Sequence, residues 1–445
     1  MKIINILIIS LIIFSCSFDN KTGIWEDGSK KISKKIEEKN NKTIVFNKKK
    51  KIFAEEVDNV SGELIEINPS KITKNWLNSY FNLANDLPHI DFNLEDKKLF
   101  GVKNNSKHQI MKKIISNGKE LVYSNIKGEI FIYNSETSSI QKFNFYKNKL
   151  KKINKKLYIG LNQNFLYVAD SLGYLYSYDI NNKKLIWAKN YGIPFRSALK
   201  FADNQIILSN QDNEIYGYDS LSGDIIWKFA LKKSFLKSKY ENSLIVNKKY
   251  KTVTVFTTDG EIYSINYDEI RINWVLNLNA DSFINDVQVF INHPLIFQEK
   301  DFYVGTNTSF SKFNFLTTEK IWEKNISIKG LPIVSGNNIF LFSQQNYLIC
   351  LNKQDGKIIW SKNIKNQAQK YNKKIKIPNQ NTLLNFYLIN NNVSLFFSNG
   401  LIVNINHKNG NINSFINLKK KITSHVIFTD NKMVFFSKKK IFQYK

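Results

Sequence analysis

A chain of 445 residues with 42% hydrophobic and 14% aromatic residues is too rich in core-forming side chains for a disordered polymer, and long enough for one large domain or several ordinary ones. There are only two cysteines, Cys16 and Cys350, which leave no disulfide if one of them carries lipid. The formal charge of +28 points either to an anionic partner or to a codon bias that over-uses Lys, Asn, Ile and Phe together; the lysines are scattered rather than blocked, which favours composition.

The chain opens "MKIINILIISLIIFSC", with Lys2, an apolar run from Ile3 to Phe14, and then Ser15-Cys16. The run is too short for a comfortable membrane span and reads as a secretory signal. Cys16 after a small residue resembles the lipobox of bacterial lipoproteins, which implies cleavage before Cys16 and acylation of that residue. Ser17, where retained lipoproteins carry Asp, implies the outer membrane. Residues 16–70 are charge-rich and without period ("GSKKISKKIEEKNNK", "NKKKKIF"), and are expected as a flexible basic tether whose lysines could touch anionic head groups.

From about residue 71 onward a phrase recurs. "YDSLSGDIIW" starts at Tyr218, and equivalent copies start at Tyr133, Tyr178, Ile265, Phe313, Leu351 and Ile405. Starts are 38 to 54 residues apart, the range of solenoids and propellers. Between Arg196 and Phe229 one unit reads as four short strands, "RSALKF", "QIILS", "EIYGYD" and "DIIWKF", separated by Asn, Asp and Gly clusters. Gly223, Gly356 and Gly410 stand where the hairpin turn calls for a positive φ. The predicted fold is all-β: an eight-bladed β-propeller of four-stranded antiparallel blades over 71–445, the last blade closed by an N-terminal strand.

Five copies end in Trp: Trp187, Trp227, Trp274, Trp322 and Trp360; the first and last have Lys142 and Ser414 there. A flat ring on the outer strand can cover the seam to the next blade while its N–H finds a carbonyl. The chain ends after three strands of a further unit, at Tyr444, and an orphan Trp76 stands before the first full unit. The expectation is that the strand around Trp76 pairs with the C-terminal strand and closes the ring, which removes exposed edges.

The phrase Tyr-Asp-x-x-x-Gly-x-x-x-Trp resembles the repeat of the pyrroloquinoline-quinone-type eight-bladed propellers. Together with the lipoprotein signal, the chain resembles the BamB family of propeller lipoproteins of the β-barrel assembly machinery. The resemblance implies a non-catalytic scaffold at the periplasmic face of the outer membrane, with BamA and other assembly-machinery subunits as partners, unfolded outer-membrane barrel clients as further candidates, and no cofactor or metal. It places the BamA contact on two loops. Leu236 and Lys237, in "SFLKSKYENS", match the first, with Lys in place of Arg. Asp286 and Val287, in "FINDVQV", match the second. An apolar residue flanked by charge at a loop tip is a plausible anchor.

The rival on the same fold is a quinoprotein dehydrogenase, which would need a quinone pocket, a calcium site of oxygen ligands and a base. No Cys-Cys pair is present, and Cys350 sits inside a strand, "YLICLN". The five histidines are widely spaced, with no His-x-x-x-His pair, nucleophile elbow or phosphate loop. Nucleic-acid binding rests on charge alone, and export argues against it.

Overall fold

The computed structural model describes residues 16–19, 24–27 and 51–445, apart from positions 61, 105, 234–239, 279–292, 372–376, 378–381 and 439. The chain divides into two compact units, Met1–Lys51 and Ile52–Lys445. In the first, Cys16–Asp19 pairs antiparallel with Ile24–Asp27. The second holds eight four-stranded antiparallel sheets, the blades of a propeller.

From inner to outer strand, blade 1 runs from Ile115–Ser116 to Ile140–Phe143 and blade 2 from Leu157–Asn162 to Lys184–Asn190. Blade 3 runs from Lys200–Ala202 to Ile225–Ala230, and blade 4 from Ser243–Asn247 to Arg271–Asn277. Blade 5 runs from Ile296–Gln298 to Lys320–Lys324, blade 6 from Ile333–Ser335 to Ile358–Asn363, and blade 7 from Leu383–Ile389 to Ile412–Asn417. Burial explains the sequence patterns. The middle strands are covered on both faces by neighbouring blades, so "TVTVF" and "EIYSIN" of blade 4 are buried throughout. Outer strands face solvent on one side and alternate towards their ends: Arg271–Asn277 is half-buried only at Trp274 and Leu276.

Each of blades 2 to 7 carries the same register shift between its third and outer strands, at Ser177/Tyr178, Gly217/Tyr218, Ser264/Ile265, Lys312/Phe313, Cys350/Leu351 and Asn404/Ile405. The residue that opens the repeated phrase is the one just past this bulge. A bulge bends a strand and increases its twist. Blade 1, with Lys142 in place of Trp, pairs without a shift.

Blade 8 corrects one expectation. Its three C-terminal strands, Ile427–Thr429, Lys432–Ser437 and Lys440–Tyr444, are completed on the outside by Leu99–Lys103, paired from Leu99↔Tyr444 to Lys103↔Lys440. The ring is stitched by an N-terminal strand as predicted, but the segment around Trp76 is not that strand. Trp76 is 3% exposed and forms a single bridge to Ser116 on the inner strand of blade 1. The physical reason is position: the repeat tryptophans lie on outer strands, whereas the chain from 71 to 92 runs inside the ring.

A second difference concerns residues 53–70, expected as part of the tether, which lie against blades 5 and 6. Phe53 N–H donates to the Asn325 carbonyl, and Val57 bridges Ser361 on the outer strand of blade 6. Asp58 pairs with Lys362 and Glu63 with Lys357. The Glu66 carbonyl accepts from Asn337 N–H and Asn338 Nδ2, and Asn68 N–H donates to Ser335 Oγ on the inner strand. This strap contains Glu55, Glu56, Asp58, Glu63 and Glu66 and no basic residue, in a chain of charge +28. Two of its acids, Asp58 and Glu63, meet lysines of blade 6. The helix Ile364–Tyr371 follows blade 6, with Ile364 and Ala368 buried one turn apart.

Candidate functional site: seams, axial channel and its mouth

Three of the five repeat tryptophans make one contact. Trp187 of blade 2 donates Nε1–H to the Ser220 carbonyl of blade 3 at 3.2 Å. Trp322 of blade 5 donates to Lys353 of blade 6 at 3.2 Å, and Trp360 of blade 6 to His407 of blade 7 at 3.0 Å. These acceptors occupy one position, two residues after the start of the phrase. Each ring lies on the turn glycine of the next blade: a Cβ would stand 2.9 Å from Trp187 at Gly223, 2.7 Å from Trp322 at Gly356 and 2.6 Å from Trp360 at Gly410.

The other two seams lack that glycine. The turn of blade 4 has Ile270 and that of blade 5 Thr318, at positive φ of 51° and 59°. There the acceptor position holds an aromatic residue, Tyr267 or Phe315. Trp227 turns back to Gln205 of its own blade at 2.7 Å, and Trp274 packs edge-on to Phe315 at 5.7 Å.

Residues 71–92 make a lap of the channel inside the ring. Thr73 Oγ1 donates to the Phe428 carbonyl of blade 8, and Trp76 exchanges backbone hydrogen bonds with Ser116 of blade 1. The Leu77 carbonyl accepts from Leu161 N–H of blade 2, Leu83 from Val246 of blade 4 and Ala84 from Phe297 of blade 5. Ile90 exchanges hydrogen bonds with Leu388 and Asn390 of blade 7. Asn85, 1% exposed, is the hub. Its Nδ2 donates to the Leu244 and Leu295 carbonyls at 3.1 and 2.9 Å, and its Oδ1 accepts from Lys200 Nζ of blade 3 at 2.6 Å. Lys200 also donates to the Asn82 carbonyl at 2.8 Å. No carboxylate faces this amine in those bonds, and burial pushes Lys200 down to about 7. Burial also pushes Asp86 up to about 7, with only a 3.3 Å contact from Gln298 to one oxygen.

Beside this plug is a cavity of about 210 Å³. Trp76, Tyr80 and Leu87 of the plug meet Lys113 before blade 1, His293 before blade 5 and His425 before blade 8. Burial disfavours charge on Glu241, but Lys113 and Lys156, at 3.0 and 2.6 Å, outweigh it and hold the carboxyl down at about 2. Burial opposes charge on Lys113 as well, and Glu241 and Tyr80 overcome it. Burial pushes His293 and His425 each to about 4, so both imidazoles are neutral at pH 7. The cluster is one internally paired amine and two neutral rings. Among the described residues no group of three or more His, Cys, Asp and Glu is placed to hold a metal. A tricyclic tricarboxylate quinone needs several free cations around a flat slot; here the cavity's one lysine is committed to Glu241, and the chain's own residues fill the channel beside it. The residues present do not fit that cofactor.

Leu236, Lys237, Asp286 and Val287 lie outside the described residues. Their loops leave the outer strands of blades 3 and 4, whose ends are described to Lys233 and Leu278. The Cys16 backbone is in the short hairpin. Cys350 is buried, and burial raises its thiol well above the ordinary value. The outer strands and turns of blades 2 to 5 expose Leu185, Ile186, Ile225, Ile226, Ile272, Val275 and Ile321. Nothing local in the sequence marks Asn85 or Lys200. The one signal for the strap was its run of acids without a base.

The fold and repeat define a class, the eight-bladed propellers with pyrroloquinoline-quinone-type repeats. Within it the chain is similar to BamB: the family profile described as "Outer membrane protein assembly factor BamB" matches residues 146–362, just under half of the chain. No curated protein matches. Among solved structures, BamB from Moraxella catarrhalis is similar at 14% identity and TM-score 0.60, over 78% of this chain and 99% of that one. The computationally designed Ika8 protein is similar at 11% identity and TM-score 0.55, over 77% and 98%. Quinohemoprotein alcohol dehydrogenase from Comamonas testosteroni is similar at 10% identity and TM-score 0.60, over 84% and 80%. At these identities the structures speak to fold alone.

Proposed function

We propose that this chain is a non-catalytic scaffold of the outer-membrane β-barrel assembly machinery, held at the periplasmic face of the outer membrane by lipid on Cys16. The observation that carries this reading is the match of residues 146–362 to the assembly-factor profile. The axial plug supports it: the place on the ring axis where a ligand would sit is taken by residues 71–92, which leaves the loops and rims for binding. In this reading the loops carrying Leu236, Lys237, Asp286 and Val287 bind BamA, and the ring orients it. Exposed outer strands of blades 2 to 5 offer apolar edges to which extended client segments could add.

The second reading is a quinoprotein-like dehydrogenase, favoured by the likeness to the Comamonas enzyme. Copurification separates the two. The tagged full chain, solubilised from its own membranes, is expected to bring down BamA and to show no quinone-dependent dye reduction. Dye reduction on adding quinone and calcium, without BamA, overturns the scaffold reading. Recovery of a different envelope protein without either result assigns the ring to another assembly.

A further inference from the structure

Lysines that meet an acid in this fold use it, as Lys113, Lys228, Lys312 and Lys362 do. One cluster is different. Lys419, Lys420 and Lys421, between blades 7 and 8, meet Lys438 and Lys440 from the hairpin of blade 8 around a groove of about 660 Å³. Ser437 and Phe442 complete its lining, with no carboxylate. Among the described residues none of the five lysines has an ion-pair partner.

The closing seam of the ring sharpens the excess. Lys440 stands directly opposite Lys103 of the closing strand, and like charges in that register weaken a sheet. Phe442 lies across the same strand, where a Cβ on Gly101 would stand 2.8 Å from its ring. Lys420 Nζ is 5.8 Å from that ring's centroid. Cations from two separate segments thus line a groove with an aromatic floor, and Lys103 of a third stands across the strand from one of them, at the point where the two ends of the propeller join.

We propose that this groove binds the phosphates of an anionic phospholipid surface. All five lysines are exposed, four of them between strands and Lys440 at a strand start, as flexible point charges with three donors each, which suits several phosphates at variable positions better than one enclosed ion. The open groove is far larger than a single phosphate. A bound phosphate would relieve the repulsion between Lys103 and Lys440, so lipid binding and ring closure are coupled. The choice of a lipid rests on the envelope location proposed above; the charge and geometry do not.

The test uses the chain from residue 16 onward carrying Cys16→Ser, so that neither the apolar run Ile3–Phe14 nor acylation holds it to every bilayer. It is sedimented with phosphatidylcholine vesicles and with vesicles containing about one-third phosphatidylglycerol. We expect roughly tenfold stronger binding to the anionic vesicles, falling as salt rises. Lys420→Glu/Lys440→Glu should remove most of that preference, leaving what the basic N-terminal segment contributes, while Lys184→Glu/Lys408→Glu, with the same charge change elsewhere, should keep it. Because Lys440→Glu converts a repulsive pair into an attractive one, the first variant should melt no lower than wild type without lipid. Equal binding to both vesicles, or equal loss in both variants, overturns the proposal. So does a site that inorganic phosphate alone occupies, seen as a rise in melting temperature at constant ionic strength without preference for anionic vesicles. BamA is absent from the assay, so this outcome and that of the scaffold test are independent.

Discussion

The Trp360 ring rests on Gly410 of the next blade, with its Nε1–H 3.0 Å from the His407 carbonyl two residues after the start of that blade's phrase. This pairing explains why the glycine is there. The turn takes a positive φ in all seven copies, at Ser138, Lys183, Ile270 and Thr318 as well as at Gly223, Gly356 and Gly410. Glycine occupies it only where a tryptophan from the preceding blade leans on the turn. The left-handed backbone is common to every copy; the missing Cβ is a packing requirement between blades.

Gly410→Ala is therefore expected to cost more than its backbone term. The turn already disfavours a side chain by about 1 kcal/mol, and the new methyl would meet Trp360 at 2.6 Å. A loss on the order of 3 kcal/mol in denaturant unfolding is predicted. Ile270→Gly, at the same turn position of blade 4, should be neutral or stabilising by about 1 kcal/mol, since Ile270 is β-branched, half-exposed and left-handed.

Asn85 joins blades 3, 4 and 5 through one side chain. Asn85→Leu would strand two buried carbonyls and the Lys200 amine, with an expected cost of about 3 kcal/mol. Adding Lys200→Met should recover part of that loss, because the amine would no longer be left without Oδ1. Independent, additive losses in a double-mutant cycle would show that the two do not act together.

The same two buried groups set a pH dependence. Lys200 has a folded value near 7, below its unfolded value, so the unfolded chain binds more protons between about 7 and 10.5 and stability rises with pH there. Asp86 has a folded value near 7, above its unfolded value, so the folded chain binds more protons between about 4 and 7 and stability falls with pH there. Lys200→Met should flatten the alkaline slope, and Asp86→Asn should stabilise the protein on the order of 2 kcal/mol at pH 8. Both are read from unfolding midpoints across pH. His293 and His425, held down by burial, contribute a slope of opposite sign to Asp86 between about 4 and 6.5, and they remain in both variants.

The acidic strap should open when its lysines are reversed. Lys357→Glu/Lys362→Glu removes the partners of Glu63 and Asp58. Hydrogen exchange at the Val57 amide, which donates to Ser361 at 2.9 Å, should then quicken at least tenfold or so, with the blade interiors unchanged.

The ring was legible because its information is local and repeated. The phrase holds the end of the third strand, the turn and the outer-strand Trp within ten residues, so spacing alone exposes the unit. Closure is legible as arithmetic, three strands wanting a fourth, but which segment supplies the fourth is not. Trp76 shares a residue type with the repeat, whereas the true strand, "LFGVK", has neither Trp nor turn signal and is recognised only by its register against Lys440–Tyr444. The plug could not be read, since its partners are remote and no period marks it: Asn85 and Leu295 are 210 residues apart. The contact loops were placed by resemblance and lie outside the described residues.

The most direct test of the scaffold claim is a binding titration of the purified full chain against the periplasmic domains of BamA. The account predicts saturable one-to-one binding, weakened about tenfold or more by Asp286→Lys with the fold intact. Absence of binding by the wild-type chain would contradict it; unchanged binding by the variant would remove Asp286 from the contact.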